Sequence, residues 1–461
     1  MGVGSLLSGR ADWLAVLPAL LLAVAAGAAF LWRTLAWEPA VRVDGWAYAA
    51  WGQALMSGDR PLFDLGATTP KPLAVVLGAL VVPLPPERAL AVVAALALGV
   101  LVAGLFAVAQ REAGATAAVA AVGAFAVGAR LDLVVAFGYI DAVVAALVVI
   151  AIALRGRVRV APLVLAGLLR PEAWILAAVA GFLETKGSVW RRATAALLAG
   201  ALAPALWILN DVVLMRDPLG TVHWQSQRWQ EVTSVDVPWS DVPGDFWAAL
   251  TGQANIVLVL AGLIGLALHY WKGRRRGPTD SLPLAVAIVW SSVSAIQIHA
   301  GGVNPRYLLP LVAVLALGCG LLVAEILPKR LRPGSRWLGT ALAAVAVVLA
   351  TATMGLAPEV SRRIERNKAV AATRPAVEAV LSCGRLGVAR RIPARDAIPQ
   401  LAASTRRPMY DFGIYRGRGR FAAVLHYTRR PRPADGVLPP WPRYETPMGP
   451  LAVAPSCNSF G

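Results

Sequence analysis

The chain has 461 residues, of which 57% are hydrophobic and only 15% charged, with a formal net charge of +18. The apolar residues fall in blocks of roughly 20, the length that crosses a bilayer's hydrocarbon layer, which excludes a soluble globular protein and points to a multi-span membrane protein. Such blocks are helices, because lipid offers backbone amides no hydrogen-bond partner.

The excess of basic residues reads as topology, and no nucleic-acid partner is expected. Lys and Arg gather in the short loops Arg155 to Arg159, Lys186 to Arg192, Lys272 to Arg276 and Lys329 to Arg336, which the positive-inside tendency assigns to the cytoplasm. The first apolar run, 13–33, is span-length and no small-residue cleavage site clearly follows it, so it is read as a span and not as a signal peptide. With the N-terminus inside, residues 34–88 form an external loop. This loop holds Asp44 in "VRVDGWAYAAWGQALMSG". One reading makes Asp44 the N-cap of a surface helix, Gly45 to Met56, whose aromatics Trp46, Tyr48 and Trp51 lie in the membrane interface. Further on, Pro72 to Pro83 is apolar but too short to span, so a re-entrant or surface-lying helix is expected.

Spans are expected at 88–110, 115–129 and 132–154, returning the chain to the cytoplasm at the Arg155 loop. The next stretch, "VAPLVLAGLLRPEAWILAAVAGFLE", is basic on both flanks. Two half-length helices meeting at Arg170-Pro171-Glu172 place both flanks inside, since proline ends or kinks a helix; Arg170 and Glu172 are expected to pair at the turn. A single kinked span is the alternative, and it would turn the later basic loops outward. Spans at 193–214, 254–271, 282–300, 305–327 and 337–357 follow, with a second external loop at 215–253. The count is nine to eleven transmembrane helices plus re-entrant or short ones.

Residues 358–461 change character and define a second, extracytoplasmic α/β domain after the transmembrane domain 1–357. Helical spacing runs over Ser361 to Leu381, and three alternating runs, Arg385 to Ala389, Phe421 to Tyr427 and Pro450 to Ala454, read as strands. The segment carries 18 Lys and Arg against 7 Asp and Glu, a basic surface that is either simply solvated or faces anionic lipid headgroups or glycans. Cys383 and Cys457 are plausible disulfide partners. Closing so long a loop contributes roughly 4 kcal/mol in the chain-entropy model.

No phosphate-cradling glycine loop, nucleophile elbow or His-rich metal cluster is present. The polar residues collect instead at the external membrane face: Asp44, Tyr48, Asp64, Lys71, Asp132, Asp141, His223, His299, Arg306 and Tyr307. Sugar transfer from a lipid phosphate needs a carboxylate to deprotonate the acceptor hydroxyl and cations to hold the departing phosphate. Asp44 suits the first role, with Asp64 a weaker second carboxylate. Arg306 in "GGVNPRYLLP" opens a span beside Pro305, near helix-N-terminal amides that favour anions. It is either a phosphate binder or an interfacial anchor with Tyr307 in the aromatic belt. Lys71 in "TTPKPL" reaches a phosphate or a lipid headgroup. Asp141 in "AFGYIDAVVAAL" lies inside a span, where an ionisable group is costly, and either lines the site or makes a structural pair. His223, with Trp224 and Trp229, belongs to a loop that clamps sugars or patches the membrane surface; His299 is read as structural.

Four stretches in this order resemble the GT-C superfamily of integral-membrane glycosyltransferases: the aspartate just after the first span, "TTPKPL" before a short helix, the "GLLRPEAW" hairpin, and "NPRYLLP" opening a late span. They cover residues 13–325. The resemblance implies a polyprenyl-phosphate-linked sugar donor, an envelope glycan or glycolipid acceptor, transfer with inversion in a multi-pass plasma-membrane protein among lipids, and Asp44 as catalytic base. No paired-acid motif follows Asp44, which departs from metal-dependent members and leaves a divalent metal possible but unassigned. The alternative from another class is a multi-span transporter of solutes or lipid-linked glycans; no internal repeat of the kind common in transporters is visible.

Overall fold

The computed structural model describes residues 10–37, 40, 42–59, 61, 69–85, 88–223, 237–273, 281–300, 304–327, 335–355, 358–383, 386–389, 401–403, 412–415, 423–425, 443–446, 449–453 and 457. Among them the first helix, α1 (Arg10–Ala36), leads to α2 (Val43–Met56) and α3 (Pro72–Leu80). Next come α4 (Ala89–Ala113), α5 (Ala115–Gly128), α6 (Leu131–Phe137), α7 (Asp141–Ala153), α8 (Val160–Gly167), α9 (Glu172–Glu184) and α10 (Val189–Asn210). The bundle is completed by α11 (Val242–Gln253), α12 (Ile256–Gly273), α13 (Leu282–His299), α14 (Leu309–Ile326) and α15 (Arg336–Thr353). The central helix is α14, buried along nearly its whole length and packed against α5, α7 and α12.

This is a multi-pass helical membrane protein. Among the described residues five helices are long and apolar enough to cross a membrane, or up to seven if each bent pair counts as one span. The nine to eleven expected from sequence are not reached by this measure, because α5 and α12 are shorter than span length. The expected continuous span 132–154 is also corrected: α6 and α7 meet at an angle of 120°. Gly138 causes the break. It ends α6 at φ +62, and a Cβ there would press on the Ala91 backbone 2.7 Å away, so only glycine fits. Asp141 therefore stands at the start of α7 and not within a straight span.

The stretch after Arg159 is a hairpin. Arg159, before α8, pairs with Glu184, the last residue of α9, at 2.8 Å, so the chain returns to the end it left. Its tip instead reaches Asp141. A cleft at the Arg159 end is lined by Arg111, Arg155, Arg159, His269 and Leu282. The ends of α4, α7 and α12 and the start of α13 thus meet there, the ends that the charge pattern assigns to one face.

Two expectations for α2 are corrected. Its N-cap is Arg42, and no side chain caps it, so Asp44 sits in the first turn and its carboxylate is engaged elsewhere, by Arg306. Nor do its aromatics lie in an interface: Trp46, Tyr48 and Trp51 are all at most 2% exposed. The crossing of α2 and α3 is close enough to bury them because Gly52 and Gly78 face each other's helix, where a Cβ would meet backbone atoms.

Beyond α15, α16 (Pro358–Leu381) is followed, among the described residues, by five strands, β1 (Leu386–Ala389), β2 (Phe412–Tyr415), β3 (Ala423–Leu425), β4 (Arg443–Thr446) and β5 (Gly449–Val453). They form one sheet in the order β2-β1-β3-β5-β4, with β1 parallel to β2 and β3, and β5 antiparallel to β3 and β4. The strands at β1, β3 and β5 were legible in the sequence; β2 and β4, four residues each, were not. Cys383 and Cys457 are joined, with Cα atoms 5.5 Å apart, which ties the end of α16 to the segment after β5.

Gly78→Val is expected to push α3 off the Tyr48 carbonyl and lower the thermal stability of the detergent-solubilised protein by about 1–3 kcal/mol or more. Gly123→Ala, where nothing lies within 4 Å of an added Cβ, should leave the melting curve unchanged or slightly raised.

Candidate functional site

Charged side chains from four separate segments converge at the hairpin tip. Arg170 donates from Nε and Nη2 to Asp141 Oδ1 at 2.9 and 2.6 Å. Arg306 donates from Nη2 to Asp44 Oδ2, while its Nε lies 3.5 Å from Asp141 Oδ2 and, buried, makes no hydrogen bond. Two aromatic rings hold the guanidinium groups flat: Arg170 lies 3.4 Å over Tyr307, and Arg306 lies 4.1 Å over Tyr139. Such stacking favours a planar cation against the negative face of a ring.

Local structure aims each group. Asn304 caps the turn Pro305–Leu308 by accepting from the Arg306 amide, with Pro305 at its first position, and Trp290 Nε1 donates to the Tyr307 carbonyl at 2.7 Å. Tyr48 is buried, and its hydroxyl donates to the Thr69 carbonyl at 3.0 Å. It therefore holds the strand of chain that delivers Lys71 and does not line a binding surface. Lys71 is buried within electrostatic reach of Arg170, Asp141, Tyr307 and Arg306, and burial, reinforced by Arg170, pulls its pKa down to about 8.

The expected Arg170–Glu172 pair is corrected. Arg170 goes to Asp141, and Glu172, equally buried, accepts from Gln297 Nε2 at 2.7 Å. Arg306 and Tyr307 are corrected as free interfacial anchors, since Arg306 is paired and its side chain only 11% exposed. Asp141 makes the structural pair that one of its two readings expected, and it stands inside the charge cluster. His223 stands apart, exposed and 2.7 Å from Asp217, and Asp132 pairs with Arg130. Asp64, Trp224 and Trp229 lie outside the described residues.

Three contributors were missed. Arg42 donates to the Tyr139 hydroxyl at 2.6 Å and pairs with Glu359 of α16 at 3.1 Å. Tyr139 and Arg42 each stand two residues before a candidate aspartate, the one local signal that could have marked them.

Two acids, Asp44 and Asp141, thus face three cations, Arg306, Arg170 and Lys71, while Arg42 is paired with Glu359. A resident divalent ion does not fit this set. No group of three or more His, Cys, Asp and Glu converges among the described residues, and both aspartates are already held by guanidinium groups. The surplus positive charge and the unsatisfied Arg306 Nε–H suit an anion.

No protein-family model matches the sequence, and no curated protein matches it either. Solved structures do. ArnT from Cupriavidus metallidurans bound to undecaprenyl phosphate matches with a TM-score of 0.55 at 13% identity, over 87% of this chain and 86% of that one. Its apo state matches with a TM-score of 0.51 at 13% identity, over 84% of each chain. The oligosaccharyltransferase of Archaeoglobus fulgidus, tethered to an acceptor peptide containing the NVT sequon, matches with a TM-score of 0.52 at 12% identity, over 87% of this chain and 64% of that one. At such identities the likeness establishes the fold, and the GT-C resemblance drawn from the motif order holds at that level.

Lys71 is the group here that changes charge near neutrality. In the free protein it is protonated below about pH 8 and neutral above, so affinity for a phosphate ester that binds the charged form should fall by up to about tenfold per unit as pH rises beyond 8. Titrating binding of a short-chain polyprenyl phosphate from pH 7 to 9 checks this. In Lys71→Arg the fall should disappear.

Proposed function

We propose that this protein is a glycosyltransferase that moves a sugar from a polyprenyl-phosphate carrier to a cell-envelope glycan or glycolipid on the outer membrane face, inverting the anomeric centre. The direct pairing of Asp44 with Arg306, inside a cluster where cations outnumber acids, carries this reading. A base and a phosphate holder must stand within one substrate's reach of each other, and these two touch.

The donor is a phosphodiester. Its anionic phosphate competes with Asp44 for Arg306, taking the Nη2–H that Asp44 holds and the unsatisfied Nε–H. Released, Asp44 accepts the proton of the acceptor hydroxyl as that oxygen attacks the anomeric carbon from the face opposite the phosphate. The bond from anomeric carbon to phosphate oxygen breaks, its electron pair stays with the phosphate, and Arg306 and Lys71 stabilise the charge that develops there. The products are a glycoside of inverted configuration and the polyprenyl monophosphate. Asp141 neutralises and aligns both arginines throughout. A transporter is less well supported, because no internal repeat of the kind common in transporters is visible in the sequence.

The threading supports a cytoplasmic Lys186 to Arg192 loop and an extracytoplasmic tail. Purified protein incubated with polyprenyl-phosphate sugars and mixed envelope acceptors should form glycosidic product, and Asp44→Asn should lower the rate about 10²–10⁴-fold, the usual size of a general-base contribution. Undiminished transfer by that variant would remove Asp44 as base, whereas solute flux in vesicles without transfer would favour the transporter. Reporter fusions after Arg192 and after Pro358 should report cytoplasm and exterior respectively; the reverse would overturn the orientation.

A further inference from the structure

At the C-terminal end of α13 the structure holds an aromatic pair that the transfer chemistry does not use. His299 Nδ1 lies 2.7 Å from the Val237 carbonyl, and the Val237 amide donates back to the His299 carbonyl at 2.9 Å. This reciprocal pair pins the start of the loop before α11 to the end of the helix. It also fixes the ring's orientation, because Nδ1 must carry the proton that the Val237 carbonyl accepts. On the fixed imidazole lies the indole of Trp239, with ring centroids 4.2 Å apart and planes 20° from parallel. One face of the indole is thus covered, yet Trp239 remains 57% exposed.

We propose that Trp239, backed by His299, is a stacking platform for a pyranose ring of a carbohydrate acceptor. This rests on the glycosyl-transfer reading and names the chemistry of its second substrate. A sugar ring presents axial C–H groups on one face, weakly positive, which meet the negative π face of an indole, while its hydroxyls point outward to hydrogen-bonding groups at the edge. Such groups adjoin the platform. The Ser240 hydroxyl donates to Asp241 Oδ1 at 3.0 Å, which leaves Oδ2 for sugar hydroxyls, and Asp245 follows one turn later in α11. Exposed carboxylates beside the ring disfavour anionic lipid headgroups, and an indole that merely marks a bilayer boundary needs no pinned backing ring.

The placement suits an acceptor that must reach Asp44. From the platform, α11 runs back to the turn that carries Arg306, where Gly252 faces Pro305 closely enough that an added Cβ would stand 3.7 Å from it. From the same end of α13, Gln297 bonds Glu172 on the hairpin that carries Arg170. Platform and charge cluster therefore share one framework.

Saturation-transfer NMR on the full-length protein in detergent tests this, with cellotetraose, mannotetraose and galactotetraose as probes. At least one probe should receive saturation at its axial ring protons. That signal should drop at least tenfold in Trp239→Ala, persist in Trp239→Phe, and persist in Asp44→Asn, which keeps the platform and lacks the base. No signal from any probe on the wild-type protein, or an undiminished signal in Trp239→Ala, overturns the platform and assigns Trp239 to the lipid boundary. The two readings fail separately: sugar binding that survives without transfer sinks the enzyme reading, and transfer that survives without sugar binding sinks the platform alone.

Discussion

Two guanidinium groups meet at a single buried carboxylate, Asp141, and the remainder of the site follows from that meeting. Arg170 comes from the tip of the α8–α9 hairpin and Arg306 from the turn before α14, so one acid ties together segments that enter the bundle from different directions. The cost of burying an acid is offset in three ways. Two cations face it, Arg170 bonds it through both Nε and Nη2, and its position at the start of α7 places it beside the positive end of a helix dipole. Gly138 makes this possible by breaking the chain just before it. A straight span through 132–154 would leave Asp141 without that helix end.

With Asp141 engaged, the cluster is left with more positive charge than it can neutralise internally, and Asp44 closes only part of the gap. In the resting protein Asp44 is held against Arg306. Under the proposed mechanism an entering phosphate would exchange one anionic partner of Arg306 for another and release the acid in the same act. Base and substrate would then be coupled by competition for one guanidinium, without any moving part larger than a side chain.

The charged residues of the site were legible in the sequence: Asp141 because an ionisable group inside an apolar segment is costly, and Asp44, Lys71 and Arg306 because they stand beside apolar helices at one expected membrane face. Their pairings were not. Asp44 and Arg306 are 262 residues apart and Asp141 and Arg170 are 29 apart, separations at which no spacing rule operates. Where a local partner was on offer, as between Arg170 and Glu172, the fold supplied a distant one instead. The hairpin was readable from its basic flanks, while the bend at Gly138 was not, because an apolar run with a glycine reads the same whether straight or broken. Tyr139 and Arg42 escaped notice because a tyrosine near a helix end and an arginine near a membrane face are ordinary, and their roles depend on what stacks above them.

Arg42 has one further implication. It joins Glu359, in the first turn of α16, to the hydroxyl of Tyr139, whose ring supports Arg306. The tail helix therefore braces Arg306 through two intervening side chains. A protein cut back to its helical bundle would keep every residue of the charge cluster and still lose that brace, so the tail belongs to the machinery of the bundle as much as to whatever it meets outside.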